Sequence, residues 1–312
     1  MSNPEAHLHL LLGVKSDPVE YRYSYEWLFT LLEEEDVRFV QLGAFSELFQ
    51  LPDDYFLDLR RQAEAHGITI ASVFTAHREM GGFLRDEHPA WEVVTRRRYE
   101  RLIQVGALLG ASHVGGSAGA VMRDHMHFKD TGVQRYLSHM KELMAYAATQ
   151  GIACLTTEPM SCSAEPPSSP DEIQDMAGEL MAFHRSRSTT SARFGFCSDV
   201  AHGFLNAQGS LLWDNYALLE AALPYLREVH LKNTDARFDA TFGFSEDERR
   251  RGIIDIEAVR RFLFDHADLI PQHELIGYLE FPGPKWGRDY SDHLLEDQFR
   301  QSLRYLKQVF RA

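Results

Sequence analysis

Eight times along this chain a short apolar run gives way to a longer amphipathic stretch. That alternation is restrictive: a strand followed by a helix, repeated, makes neighbouring strands parallel and places the helices on the outside of the sheet. The short runs fall at 7–14, 38–42, 68–75, 112–114, 152–157, 194–198, 228–231 and 275–279. The stretches between them read as helices over 24–34, 53–66, 91–109, 133–150, 171–184, 213–223, 255–264 and 294–310. In the first of these, Trp27, Leu28, Leu31 and Leu32 recur at the helical spacing. Gly67, Gly110 and Gly151 stand where helices stop, and Pro170 stands where one starts. Eight strand–helix units are the count of a closed (β/α)8 TIM barrel, so we expect an α/β fold with a single domain over residues 1–312. A doubly wound open sheet is the main alternative. It usually carries a glycine fingerprint after the first strand, where this chain has Lys15-Ser16-Asp17-Pro18.

Composition narrows the function more than the fold. The 312 residues are 44% hydrophobic and 25% charged, enough for one large core. The net charge of -14 argues against nucleic acid as a partner, because phosphate binding needs a basic face. Three cysteines, Cys154, Cys162 and Cys197, are too few and too odd in number for a disulfide framework, which points to a reducing compartment. The first fifteen residues lack a basic region and a cleavage site, and no apolar run reaches membrane-spanning length. The expectation is a soluble, cytoplasmic protein with no membrane partner.

Four of the apolar runs end on residues that an apolar strand would not favour. Residues 153–157 lead to Glu158, 194–198 to Asp199, 226–229 to His230 and 276–279 to Glu280. A carboxylate closing a buried strand is costly unless positive charge meets it. One such residue is most simply a cap, a turn former or a surface ion pair. Four on strands five to eight converge on one side of the C-terminal mouth, where barrels of this kind keep their sites. Three carboxylates and one imidazole form a hard, oxygen-rich donor set for a divalent ion. Mn²⁺ is the expected ion, with Mg²⁺ and Co²⁺ as alternatives, and about two positions of an octahedron stay open for substrate oxygens.

The pieces Glu158-Pro159, Asp199-Val200-Ala201-His202, His230-Leu231-Lys232-Asn233 and Glu280 resemble the xylose isomerase-like TIM-barrel superfamily. Ketose 3-epimerases, hydroxypyruvate-type isomerases and inosose dehydratases belong to that group. The resemblance is carried by the C-terminal half; the N-terminal half matches only as barrel periodicity. It implies that Glu158, Asp199, His230 and Glu280 hold the metal. It implies further that Glu158 and Glu280 face each other across the substrate as acid and base, and that His202 contacts substrate oxygens. His230-x-Lys232 resembles the His-x-Lys-Asp pattern of the dehydratase-like members, with Asn233 in place of the Asp and Asp235 two residues on. Arg237 stands near the position of a substrate-binding arginine in some epimerases.

Strand alternation aims Lys232 the same way as His230, where it can bind an oxyanion; otherwise it is a surface lysine. His77, after strand three, lies at the level of the mouth and is the fourth expected substrate contact, the alternative being a loop histidine. Lys15 follows strand one and faces either the mouth or the solvent. Gly115 to Gly119 either admit a ligand to the backbone or make a tight turn. Trp286 stands near Glu280 as a candidate pocket wall, and His125 and His127 read as surface. Two charge runs, 33–36 and 246–251, read as solvated, the second as a short exposed helix in the insertion after strand seven.

The function this implies is a metal-dependent isomerase or epimerase of a small carbohydrate or keto-sugar, working by proton abstraction beside a carbonyl. The alternative is a lyase on the same site, a dehydratase of a keto-cyclitol or an enzyme cleaving a 3-keto-glycoside. C-glycoside-cleaving relatives of that kind work with a small partner subunit. The resemblance also implies a homo-oligomer. An endonuclease IV-like phosphodiesterase would need more histidines and acids at the mouth, and a barrel that only binds sugar would not need the whole ligand set.

Overall fold

The structure is a computed structural model that describes residues 8–17, 23–43, 46–76, 78–281 and 292–311. Eight parallel strands close into a barrel. In chain order they are β1 His9–Lys15, β2 Phe39–Gly43, β3 Thr69–Thr75, β4 His113–Gly116, β5 Cys154–Thr157, β6 Arg193–Asp199, β9 Leu226–Leu231 and β10 Glu274–Leu279. Between β6 and β9 the chain makes a small antiparallel hairpin, β7 Phe204–Leu205 and β8 Leu211–Trp213, which stays outside the barrel sheet. Closure is made by β1 pairing with β10 over six residues, from His9↔Glu274 to Val14↔Leu279. This is the expected (β/α)8 barrel.

The helices around it are α1 Tyr25–Glu34, α2 Glu47–Gln50, α3 Asp53–Ala65, α4 Ala90–Leu109, α5 Lys129–Thr149, α6 Pro170–Ser186, α7 Asn215–Ala222, α8 Glu246–Arg251, α9 Ile256–Asp265 and α10 Leu295–Arg311. The long ones bury an apolar stripe against the strands, such as Leu28, Leu31 and Leu32 in α1, and Leu303 and Leu306 in α10. Local chemistry starts them: Ser24 Oγ accepts from the Trp27 N–H, Ser169 from Glu172 and Asp255 from Ala258. No helix among the described residues is long and apolar enough to cross a membrane.

Three expectations change. The helix expected from residue 213 begins at Asn215, because Asp214 caps it by accepting from the Ala217 N–H at 2.8 Å. Leu211 to Trp213 instead form β8, turned back by Asn206, whose Oδ1 accepts from Gln208 and Ser210 N–H, and by Gly209 at φ 76°. Within the acidic run 33–36, Glu35 is not solvated. It is 5% exposed and accepts from Arg300, Arg304 and Lys307 of α10, so the run fastens the first helix to the last. The run 246–251 is the short helix α8, but Glu248 within it is buried, accepting from the Gly243 and Ser245 N–H groups. The Gly115–Gly119 segment is glycine-rich for packing: a Cβ on Gly116 would lie 2.1 Å from the Thr75 carbonyl oxygen, and one on Gly119, at φ 97°, would lie 2.0 Å from Gly81 Cα.

Candidate metal and catalytic site

The barrel register delivers four strand ends to one place. Glu158 follows β5, Asp199 closes β6, His230 is the penultimate residue of β9 and Glu280 follows β10. The ladder carries on past the strands to fix them: the Val200 N–H donates to the His230 carbonyl at 3.1 Å and the Glu280 N–H to the Leu231 carbonyl at 3.0 Å. Each of the four then offers a ligand atom, and these atoms all lie within 4.8 Å of one another. Glu158, Asp199 and His230 are buried, and Glu280 is partly so.

His230 stands between two of the carboxylates. Its Nδ1 is 2.9 Å from Glu158 Oε1 and 3.3 Å from Glu280 Oε2. The ring packs edge-on against Phe74, with centroids 5.0 Å apart. Two ammonium groups supply the opposing charge. Lys232 Nζ is 2.7 Å from Asp199 Oδ2, and Lys15 Nζ is 3.3 Å from Glu280 Oε1 and 2.9 Å from Asp17 Oδ2. Burial penalises the charges of Glu158, Glu280, Lys15, Lys232 and His230, and the opposite charges beside them outweigh it. Glu158 is thus held below the usual carboxylate range chiefly by His230, and Glu280 by Lys15 and Lys232. The same attractions raise Lys232, Lys15 and His230 against their burial.

His202 lies in the turn after β6. Its Nδ1 is 2.7 Å from the Pro159 carbonyl, which can only accept, so Nδ1 carries a proton. In the neutral ring Nε2 then accepts, and Lys232 Nζ lies 3.1 Å away to donate. Asp199, Lys232 and His202 form one connected chain at the mouth. Two of the three Lys232 donors are engaged there, leaving one for a ligand.

The expected substrate contacts thus divide. His202 and Lys232 join the cluster. Arg237 does not: its side chain is 79% exposed and pairs with Asp239 at 3.2 Å. His77 and Trp286 lie outside the described residues. Asn233, in place of the Asp of the dehydratase-like pattern, holds the backbone in shape. Its Oδ1 accepts from the Thr234 and Ile254 N–H groups, pinning both ends of the insertion after β9.

Lys15, open in the sequence, faces the cluster. Gln41 and Glu228 are missed altogether. Gln41 Oε1 lies 2.7 Å from His230 Nε2, and Glu228 Oε2 accepts from Thr156 Oγ1 at 3.2 Å inside the barrel. The available signal is a polar residue within an otherwise apolar strand, the same anomaly that exposed the strand ends.

The donor set fits a divalent ion. Glu280 Oε2 is buried and accepts no hydrogen bond, and three carboxylate groups converge there with an imidazole nitrogen.

The sequence profile of the family described as "Xylose isomerase-like TIM barrel" matches residues 29–309. The chain belongs to this family. A Rhodospirillum rubrum protein provisionally named a xylose isomerase superposes with a TM-score of 0.78 at 18% identity, covering 96% of this chain and 99% of that one. D-psicose 3-epimerase from Clostridium cellulolyticum, solved with D-tagatose, gives 0.70 at 15% identity over 96% and 99%. A Bacillus anthracis protein described as a probable 3-DHS dehydratase of petrobactin synthesis gives 0.63 at 11% identity over 96% and 98%. At these identities the solved structures speak for the fold alone. No curated protein matches the chain in sequence.

Proposed function

We propose that this member of the xylose isomerase-like family is a divalent-metal-dependent isomerase or epimerase of a small carbohydrate or keto-sugar. The observation that carries the reading is the convergence of Glu158, Asp199, His230 and Glu280, with ligand atoms within 4.8 Å of one another at the C-terminal mouth. Mn²⁺ suits this oxygen-rich set best, with Mg²⁺ and Co²⁺ as the other fits. When bound, such an ion supplies a Lewis acid that polarises a carbonyl and lowers the cost of charge developing on its oxygen.

The chain's own groups do the rest. Glu158 and Glu280 are kept ionised by His230 and the lysines, so each enters as a base. The carboxylate that takes a proton from the carbon beside the carbonyl becomes the acid that returns it. Return to the adjacent carbon converts an aldose to a ketose or back. Inversion requires the opposite carboxyl to have taken up a proton first; it delivers that proton to the same carbon while the first carboxylate keeps the one it removed. His202 and the free Lys232 donor hold substrate oxygens and orient the C–H bond toward its base.

Chelation is expected to abolish turnover and Mn²⁺ to restore it, while a panel of ketoses in D₂O takes deuterium beside the carbonyl. Glu280→Gln is expected to lose that exchange. Full activity in Glu280→Gln at full metal content refutes the assignment of Glu280. A second reading, a lyase on the same groups, follows from the resemblance of His230-x-Lys232 to the dehydratase-like members. Release of water or an aglycone in that panel selects it.

A further inference from the structure

Gln41 sits on β2, and His230 sits across the barrel on β9; both side chains are fully buried. Gln41 Oε1 is 2.7 Å from His230 Nε2. The other end of the amide is spoken for: Gln41 Nε2 lies 3.3 Å from Ser72 Oγ and 3.8 Å from Cys197 Sγ. This fixes the amide from both sides, and with it the plane of the imidazole that Phe74 already packs edge-on.

A neutral imidazole has one N–H and one lone pair, and the nitrogen that donates cannot ligate. A carbonyl oxygen at Nε2 takes the proton there. Nδ1, the nitrogen beside the Glu158 and Glu280 oxygens, donates to Glu158 in the metal-free chain; an ion that replaces that proton meets the lone pair on Nδ1, because Gln41 keeps the other proton on Nε2. The opposite tautomer would put a proton into the cluster and leave Gln41 Oε1 facing a lone pair.

We propose that Gln41 is the positioning residue of the site. It selects the His230 tautomer that presents Nδ1 to the divalent ion, while its own Nε2 is anchored at Ser72 Oγ. The proposal rests on the metal reading above and adds a residue outside the ligand set. Gln41 does this as a neutral acceptor. It adds no charge to a cluster that already holds three carboxylates, where a carboxylate acceptor would make His230 a stronger donor.

The test is Mn²⁺ titration calorimetry on the whole protein, wild type against Gln41→Met and Gln41→Glu, with thermal melts in chelator alongside. Methionine fills the volume and removes the acceptor, so Gln41→Met is expected to bind Mn²⁺ about 10- to 100-fold more weakly. Gln41→Glu keeps an acceptor and is expected to bind at least as tightly as wild type. If Gln41 merely filled space, the order would reverse, because methionine packs there at no polar cost and glutamate buries a charge. Gln41→Met binding as tightly as wild type overturns the proposal and leaves the metal site standing. Failure of the wild type to bind Mn²⁺ overturns the metal reading, and this proposal with it. Should Gln41→Met not fold, ¹⁵N spectra of wild type loaded with Mg²⁺ decide: a protonated His230 Nε2 is expected, and an unprotonated one overturns the assignment.

Discussion

Lys15→Met separates two things that the buried ammonium does. In the folded chain Lys15 is 6% exposed, with its Nζ 3.3 Å from Glu280, 2.9 Å from Asp17 and 5.4 Å from the Phe74 ring centroid. At an effective dielectric of about 20, the attraction to Glu280 alone is about 5 kcal/mol. Desolvating the ammonium takes back much of that, and deleting one partner of a buried pair costs about 3–5 kcal/mol because the other charge is stranded. Methionine recovers the packing of the stem, so we take about 3 kcal/mol. Unfolding entropy of about 2.1 cal/mol/K per residue, over a chain of 312 residues, turns that into a Tm about 5 °C lower in chelator. Metal binding should move the other way. With Lys15 gone, Glu280 has lost a competing cation, and returning about 1.4 kcal/mol of the attraction to an incoming ion tightens Mn²⁺ about tenfold. Thermal melts with and without chelator, together with Mn²⁺ calorimetry, read both. A lower Tm combined with equal or weaker Mn²⁺ binding refutes the reasoning, since it would mean that Lys15 supports the ligand geometry rather than competing for its charge.

Two further perturbations test the frame that carries the site. Glu35→Gln should destabilise by about 2 kcal/mol, below the full range for a buried pair because Arg304 is 60% exposed and glutamine keeps an acceptor. Burial alone would raise the Glu35 carboxyl, but its bonds to Arg304, Arg300 and Lys307 lower it from 4.5. Its stabilisation is therefore complete above that unfolded value and lost as the pH falls through the lowered folded one, so melts of wild type and Glu35→Gln should converge in acid; a gap that persists there contradicts the assignment. Asn233→Ala leaves the Thr234 and Ile254 N–H groups without their acceptor, at about 1–3 kcal/mol each. Limited proteolysis should then cut within 235–253 faster than in wild type, and an unchanged cleavage rate rules out the pinning role.

What the sequence makes legible is what repeats along it or what violates a local rule. The barrel is legible because a parallel strand buried on both faces reads as a plain apolar run and its helix as a 3.6-residue stripe, and neither depends on which strand pairs with which. Asp199 and its three companions stand out because charge at the end of such a run has no local remedy. The partners do not stand out, since they arrive from far away in the chain: His230 is 189 positions from Gln41, and Glu280 is 265 from Lys15. Glu35 likewise reads as one more acid in an exposed run until closure brings α10 against α1. These long separations share one cause. A barrel joins its first strand to its last, so the N-terminal strands lie beside a site whose recognisable residues all come from the C-terminal half. The four clustered residues are written in strands five to eight of the barrel. The groups that set their charge and hydrogen bonding, Lys15 and Gln41, come from the first two, where no motif marks them and only the closed ring gives them a partner.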